Sequence, residues 1–430
     1  MSRALRGIVL LLALSFAPSS DASAETAPSP PPSPPLLAEH ARALTDVRFE
    51  PTAARVERGR YLASAAIGCV ICHSERDPQR PGRPPIPGRE FAGAVLSDEP
   101  GYRLVAPNLT PDPETGAGTW SDDMLARAIR EGVGHDGRGI GGPMWWWAFR
   151  SLSDEDLASI VVYLRSLPPV RHLLPPRILS AEAERQRSAA ARPLEQAVPA
   201  PDLGDPLARG RYLLGIADCA GCHSAWEAPV NAGIFAGGNE VGRFGQPVFS
   251  ANLTPDASGL GGRTAPIFIG ILRGGRGGTL DPTMPWAAYR GMTDADLEAI
   301  FLALSQLEPV RHFVNNLDPP TACPVCGQTH GLGELNRPPV YERVAVDLGP
   351  LADYAGTYRF EDFEMAIAAH DGALFVTDPE RPEIELVPVA GGRFQGRGLA
   401  AAISFERDAG GRIVALVSHE LPEIRGTKAP

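Results

Sequence analysis

Cys69-Val-Ile-Cys72-His73 and Cys219-Ala-Gly-Cys222-His223 each place a histidine directly after two thiols spaced three positions apart. Thiols at that spacing can each form a thioether to a haem vinyl group. The adjacent imidazole then lies beneath the ring as the proximal ligand of the iron. The bland alternative is a zinc or disulfide pair. Zinc in a structural site takes four protein ligands and gives no reason for a histidine at that adjacent position twice. The pattern therefore implies two covalently bound haem c groups, one on Cys69, Cys72 and His73 and one on Cys219, Cys222 and His223.

A haem iron held by one histidine keeps a sixth position, which separates an electron carrier from a catalyst. Beyond the first residues the methionines are Met124, Met144, Met284, Met292 and Met365. Met144 and Met284 occupy equivalent places, each nine residues before a helix N-cap, Ser153 or Thr293. Trp146 aligns with Trp286, and Phe149-Arg150 with Tyr289-Arg290. A thioether sulfur there favours ferrous iron and closes the site to other ligands. Met124 and Met292 read as core residues.

These residues sit inside a longer repeat. Gly59-Arg60-Tyr61-Leu62 precedes the first motif and Gly210-Arg211-Tyr212-Leu213 the second; Asn108-Leu109-Thr110-Pro111-Asp112 recurs from Asn252 to Asp256. A helix ending at Arg130 or Arg273 follows, then a closing helix with a box-like cap. Its apolar positions, Leu157, Ile160, Val161, Leu164 and Leu167, return at helical period as Leu297, Ile300, Phe301, Leu304 and Leu307, which marks core packing. After Pro319 the texture changes. Short apolar stretches punctuated by Asp371-Gly372, Gly391-Gly392 and Gly410-Gly411 predict hairpins of a small antiparallel β domain.

The chain opens with Arg3 and Arg6, an apolar run from Ile8 to Ala17 and the small-x-small pattern Ala22-Ser23-Ala24. That pattern predicts an exported, periplasmic protein cleaved after Ala24. No stretch approaches the ~20 apolar residues of a membrane helix, so no membrane span is expected. A formal charge of −11 without long acidic blocks argues against nucleic acid as a partner. The expected organisation is a signal peptide (1–24), a proline-rich disordered spacer (25–50), a first helical module (51–176), a linker (177–206), a second module (207–318), a connector (319–343) and a β domain (344–430).

From about Thr52 to Val314 the order of haem motif, Asn-Leu-Thr-Pro, methionine and closing helix resembles class I cytochrome c domains. The resemblance is strongest to the cytochrome subunits of periplasmic alcohol and sugar dehydrogenases. It implies a multidomain chain: two mainly α class I cytochrome c domains followed by a small antiparallel β-barrel domain. It also implies His73 and Met144 on one iron, and His223 and Met284 on the other. In one respect the chain departs from the family. Pro285 follows Met284 as is usual there, whereas Pro143 precedes Met144 and Trp145 follows it, which leaves His135 as an alternative ligand.

Asn108, Asn252, Thr110 and Thr254 read either as contacts to the haem edge or as turn chemistry before a proline. Arg130 and Arg273 read as helix-end or propionate partners. His172 and His312, each after Val-Arg, read as contacts of the connecting strap or as distal haem ligands.

Cys323-Pro-Val-Cys326 has haem spacing but Gly327 in place of the histidine, so it is no third attachment site. A disulfide between Cys323 and Cys326 is expected in an oxidising compartment; a redox-active dithiol or a metal site that adds His330 are the alternatives. The tail from Leu351 to Phe360 onward resembles a lipocalin-like β-barrel appended to some β-lactamase-related hydrolases. The expected function is electron transfer from a periplasmic dehydrogenase to a terminal oxidase or another cytochrome. The rivals are a dihaem peroxidase-like enzyme, favoured by the irregular Pro143-Met144-Trp145 order, and a redox sensor or adaptor using the β domain.

Overall fold

The computed structural model describes residues 37–429 except 227, 242–247, 276–282, 337–342, 346–347, 362, 379–380, 397–398, 400 and 420–422. The signal peptide read over 1–24 and the spacer residues 25–36 lie outside the described residues. In the first half the helices are α1 (Ala53–Tyr61), α2 (Cys69–Cys72), α3 (Asp122–Glu131), α4 (Trp146–Phe149), α5 (Asp154–Ser166) and α6 (Ala181–Ala190). The later helices are α7 (Pro206–Ile216), α8 (Cys219–His223), α9 (Ala265–Gly274), α10 (Trp286–Tyr289) and α11 (Asp294–Ser305). No helix among the described residues is long and apolar enough to cross a membrane.

The chain forms two compact units: Ala4–Pro201 with Ile271–Met292, and Asp202–Gly270 with Thr293–Pro430. In the first, the closing helix α5 starts at Ser153, whose hydroxyl accepts from the Asp156 N–H. It buries Leu157, Ile160, Val161 and Leu164, each 2% exposed or less. That face packs on α1, and the axes approach closely because Gly59 has no side chain: a Cβ there would lie 1.9 Å from the Ser159 carbonyl oxygen. The second unit repeats the crossing with α7 on α11, where a Cβ on Gly210 would lie 1.9 Å from the Ala299 oxygen. The repeated Gly-Arg-Tyr-Leu is therefore a helix-crossing motif.

Further elements of the first unit are less visible in the sequence. Strands β1 (Ala94–Glu99) and β2 (Tyr102–Ala106) form an antiparallel hairpin after the first Cys-x-x-Cys-His motif. Residues 37–50 lie against the module: the Arg42 guanidinium bonds both Asp123 oxygens at 2.6 and 2.8 Å and Glu131 at 2.8 Å. Residues 177–206 carry α6, capped by Ser180, and bury Leu179, Ala190 and Ala191. α10, from the second repeat, rests on α2 and on the π-helical turn Leu62–Ala66. Small residues permit this approach, since a Cβ on Gly68 would meet Ala288 at 3.2 Å and one on Gly291 would meet Ala65 at 3.4 Å.

The second unit also holds a two-stranded sheet, β3 (Pro320–Ala322) with β4 (Thr329–Gly331). The tail is a closed antiparallel barrel of eight strands: β5 (Gly356–Arg359), β6 (Glu364–His370), β7 (Ala373–Asp378), β8 (Arg381–Val389), β9 (Arg393–Gln395), β10 (Ile403–Arg407), β11 (Ile413–Ser418) and β12 (Ile424–Lys428). Each strand pairs with its sequence neighbours, and β12 closes on β5. Asp371 and Gly372 both have positive φ, 52° and 76°, as a two-residue hairpin turn requires. The core is filled by Tyr358, Leu374, Leu416, Ile403 and their neighbours. A cavity of about 210 Å³ opens beside Leu374, Leu386, Pro388 and Leu348.

Candidate haem sites

Both Cys-x-x-Cys-His segments form a single helical turn entered through a left-handed residue. Gly68 (φ 63°) precedes α2 and Asp218 (φ 50°) precedes α8. This geometry turns the chain sharply out of the preceding helix. The four cysteines are half-buried, and neither pair is joined as a disulfide.

His73 is 7% exposed and its Nδ1 lies 2.9 Å from the Pro107 carbonyl oxygen. His223 repeats this, with Nδ1 2.7 Å from the Ala251 oxygen. A ring pinned through Nδ1–H to a carbonyl holds its Nε2 lone pair available for a metal and its plane fixed. Burial pushes both imidazoles below their ordinary pKa, which keeps them neutral and competent as ligands.

The supporting loops match in detail. Ser74 Oγ accepts from the Phe91 N–H and Ser224 Oγ from the Phe235 N–H, each at 2.9 Å. Phe91 and Phe235 are fully buried with φ of 61° and 60°, a conformation costly for a bulky residue. The Phe91 and Phe235 carbonyls accept from the Leu109 and Leu253 N–H groups. Asn108 and Asn252 serve as turn-makers here: each accepts from the N–H and hydroxyl of Thr110 or Thr254 and donates to the strap carbonyl of Val170 or Val310 at 2.8 Å.

Arg130 and Arg273 reach backbone carbonyls beyond the methionine segments, Leu152 in the first copy and Arg290 and Met292 in the second. His172 and His312 bind strap to loop, with Nδ1 2.9 Å from the Ala92 and Ala236 oxygens respectively. His135 stacks on Trp120, ring centroids 4.1 Å apart and planes 10° from parallel. Met144 and Met284 are half-buried and lie two residues before α4 and α10.

Trp146 and Trp286 carry a feature that spacing does not reveal. Their indole Nε1 atoms are buried without a hydrogen-bond partner. A buried indole N–H ordinarily finds an acceptor. The same orphan donor at both repeat positions suits a bound group that brings its own acceptor, as the propionates of haem do. Donor set, pinned histidines and orphan indoles together fit haem c.

Cys323 and Cys326 are free thiols in this structure. They are buried beside His312 and His330, a convergence that sequence spacing showed only for His330.

No family model matches the chain. Over 179 residues it is 35% identical to one of the subunits of the nicotinate dehydrogenase of Pseudomonas putida, a match that covers 40% of this chain and 14% of the relative. It is 32% identical over 179 residues to the gluconate 2-dehydrogenase cytochrome c subunit of Pantoea cypripedii, covering 40% of this chain and 38% of the relative. With the fructose dehydrogenase cytochrome subunit of Gluconobacter japonicus it shares 27% identity over 281 residues, 60% of this chain and 55% of the relative. The match therefore spans about half or less of these relatives. Its homologues are cytochrome c subunits of sugar and alcohol dehydrogenases and a dihaem cytochrome c, and to that likeness the chain adds a C-terminal eight-stranded β-barrel.

Proposed function

We propose that the protein is a periplasmic dihaem cytochrome c that takes electrons from a dehydrogenase and passes them to a downstream oxidase or cytochrome. Cys69, Cys72, His73 and Met144 would hold one haem, and Cys219, Cys222, His223 and Met284 the other. The observation that carries this reading is the repeated pinning of a neutral histidine through Nδ1 at the end of each Cys-x-x-Cys turn.

When bound, haem supplies a one-electron couple. The chain's residues do the rest. His73 and His223 present Nε2 in a fixed orientation, and burial keeps both uncharged. The orphan indole donors of Trp146 and Trp286 offer hydrogen bonds to carboxylates. Arg130 and Arg273 clamp the segments after Met144 and Met284, which limits the freedom of those loops. A thioether that stays in place leaves no position for a substrate, so the role is transfer of electrons.

The test is a spectroelectrochemical titration of the purified protein with carbon monoxide and peroxide challenges. Two reversible one-electron steps, weak carbon monoxide binding and no peroxide turnover are expected. Substantial peroxide turnover, abolished by substitutions around Met144, would replace the carrier by a peroxidase-like enzyme.

A further inference from the structure

The third cysteine pair lies outside both haem turns and meets two histidines. His312 comes from the strap after α11. Cys323 and Cys326 flank the turn after β3, and His330 lies in β4. His312, Cys323, Cys326 and His330 are 0%, 3%, 0% and 1% exposed. One ligand atom from each lies within 4.8 Å of all the others. Among the described residues this is the one such cluster of metal-ligating side chains.

We propose that His312, Cys323, Cys326 and His330 hold a zinc ion in a closed tetrahedral site.

The distances carry the geometry. Zinc bonds of about 2.3 Å to sulfur and about 2.05 Å to nitrogen give tetrahedral edges of about 3.3 Å between nitrogens and about 3.6 Å between nitrogen and sulfur. Here His312 Nε2 lies 3.3 Å from His330 Nε2, 3.5 Å from the sulfur of Cys323, and His330 Nε2 lies 3.4 Å from that of Cys326. Each imidazole points Nε2 inward while Nδ1 engages a carbonyl, Ala236 at 2.9 Å for His312 and Gly331 at 3.1 Å for His330. That outer contact sets the tautomer a metal-bound histidine needs. The Asn336 side-chain amide donates to the Cys323 sulfur at 3.4 Å, a bond that suits a thiolate.

Four protein ligands and full burial leave no position for water or substrate, so the ion is structural. Two thiolates with two imidazoles suit zinc among the divalent ions. Among the described residues the first copy shows no such cluster. His172, which makes the same strap contact, points Nε2 toward Glu75 at 3.7 Å and has no cysteine beside it.

The ion would tie three segments together: the strap, the connector and the loop behind the second haem turn. Cys323, Val325 and Cys326 share an apolar cluster with Ala225 and Ala228, and the Cys326 carbonyl accepts from the Val230 N–H at 3.1 Å. Gly238 passes so close to His312 that a Cβ there would lie 2.5 Å from its ring. This site stands whether or not the electron-carrier reading holds.

The test is metal analysis of the intact haem-loaded protein with X-ray absorption at the zinc edge. One zinc per chain is expected, with a shell of two sulfurs and two nitrogens. A Cys323→Ser, Cys326→Ser double variant should lose the zinc and keep its covalent haems, while His172→Ala keeps both. Absence of zinc, with a peptide mass two hydrogens lighter across Cys323 and Cys326, overturns the proposal in favour of a disulfide. Zinc retained by the double variant, or a shell lacking sulfur in the wild-type protein, overturns it equally. The absorption measurement on the wild-type protein decides even if the variant fails to fold.

Discussion

Gly59 lies directly against the backbone of Ser159, so close that a methyl group on its α-carbon would fall 1.9 Å from the Ser159 carbonyl oxygen. α1 and α5 meet at this point, and α1 leads through the π-helical turn Leu62–Ala66 into the first Cys-x-x-Cys-His turn. Replacing Gly59 by Ala should force the helices apart and destabilise the module by about 3 kcal/mol, the upper range of overpacking costs. Denaturant unfolding followed at the first haem's absorbance checks this. Gly210→Ala should act likewise through Ala299 in the second copy.

The methionine assignments predict potentials. Met284→Ala should lower one haem potential, because loss of a thioether removes its preference for ferrous iron. Met144→Ala should lower the other. Potentiometry on each variant checks both. An unchanged spectrum and unchanged potentials in Met144→Ala would move the sixth ligand to another residue, with His135, stacked on Trp120, first in line.

The orphan indoles predict a smaller effect. Trp146→Phe and Trp286→Phe each remove a buried donor while keeping an aromatic ring. If each donor serves a carboxylate of bound haem, its loss should lower a potential by about 60 mV, which is a tenfold change for one electron. Haem content should stay intact. Unchanged potentials in both variants would show that neither indole touches a propionate.

The clasp between Arg42 and α3 predicts an acid-sensitive segment. Burial acts to raise the Asp123 carboxyl, but Arg42 and Thr45 outweigh it and hold the pKa below the ordinary value. A carboxyl lowered on folding stabilises the folded state at pH above its unfolded value, and that stability is lost as pH falls through its folded value. Residues 37–50 should therefore release in acid, read as proteolytic cleavage ahead of the first module. Arg42→Ala should release them at neutral pH, at about 3 kcal/mol, since it strands Asp123 and Glu131 without their cation.

Spacing along the chain carried the parts of this protein whose chemistry is local. In the proposed function two thioethers and a proximal imidazole come from five consecutive residues, so Cys69 to His73 and Cys219 to His223 stand out as candidates from spacing alone. The barrel was legible in the same way, because Asp371-Gly372 and Gly391-Gly392 supply the positive φ that hairpin turns demand. Tertiary packing decided the rest. Gly59 shows its purpose only against Ser159, and Asn108 only against Val170, contacts between segments far apart in sequence. Spacing placed His330 near the third cysteine pair but not His312; the strap and β4 bring the two histidines together, where burial requires their polar atoms to find partners. Local covalent chemistry is written in residue order, whereas convergence of buried polar groups depends on how separate segments pack.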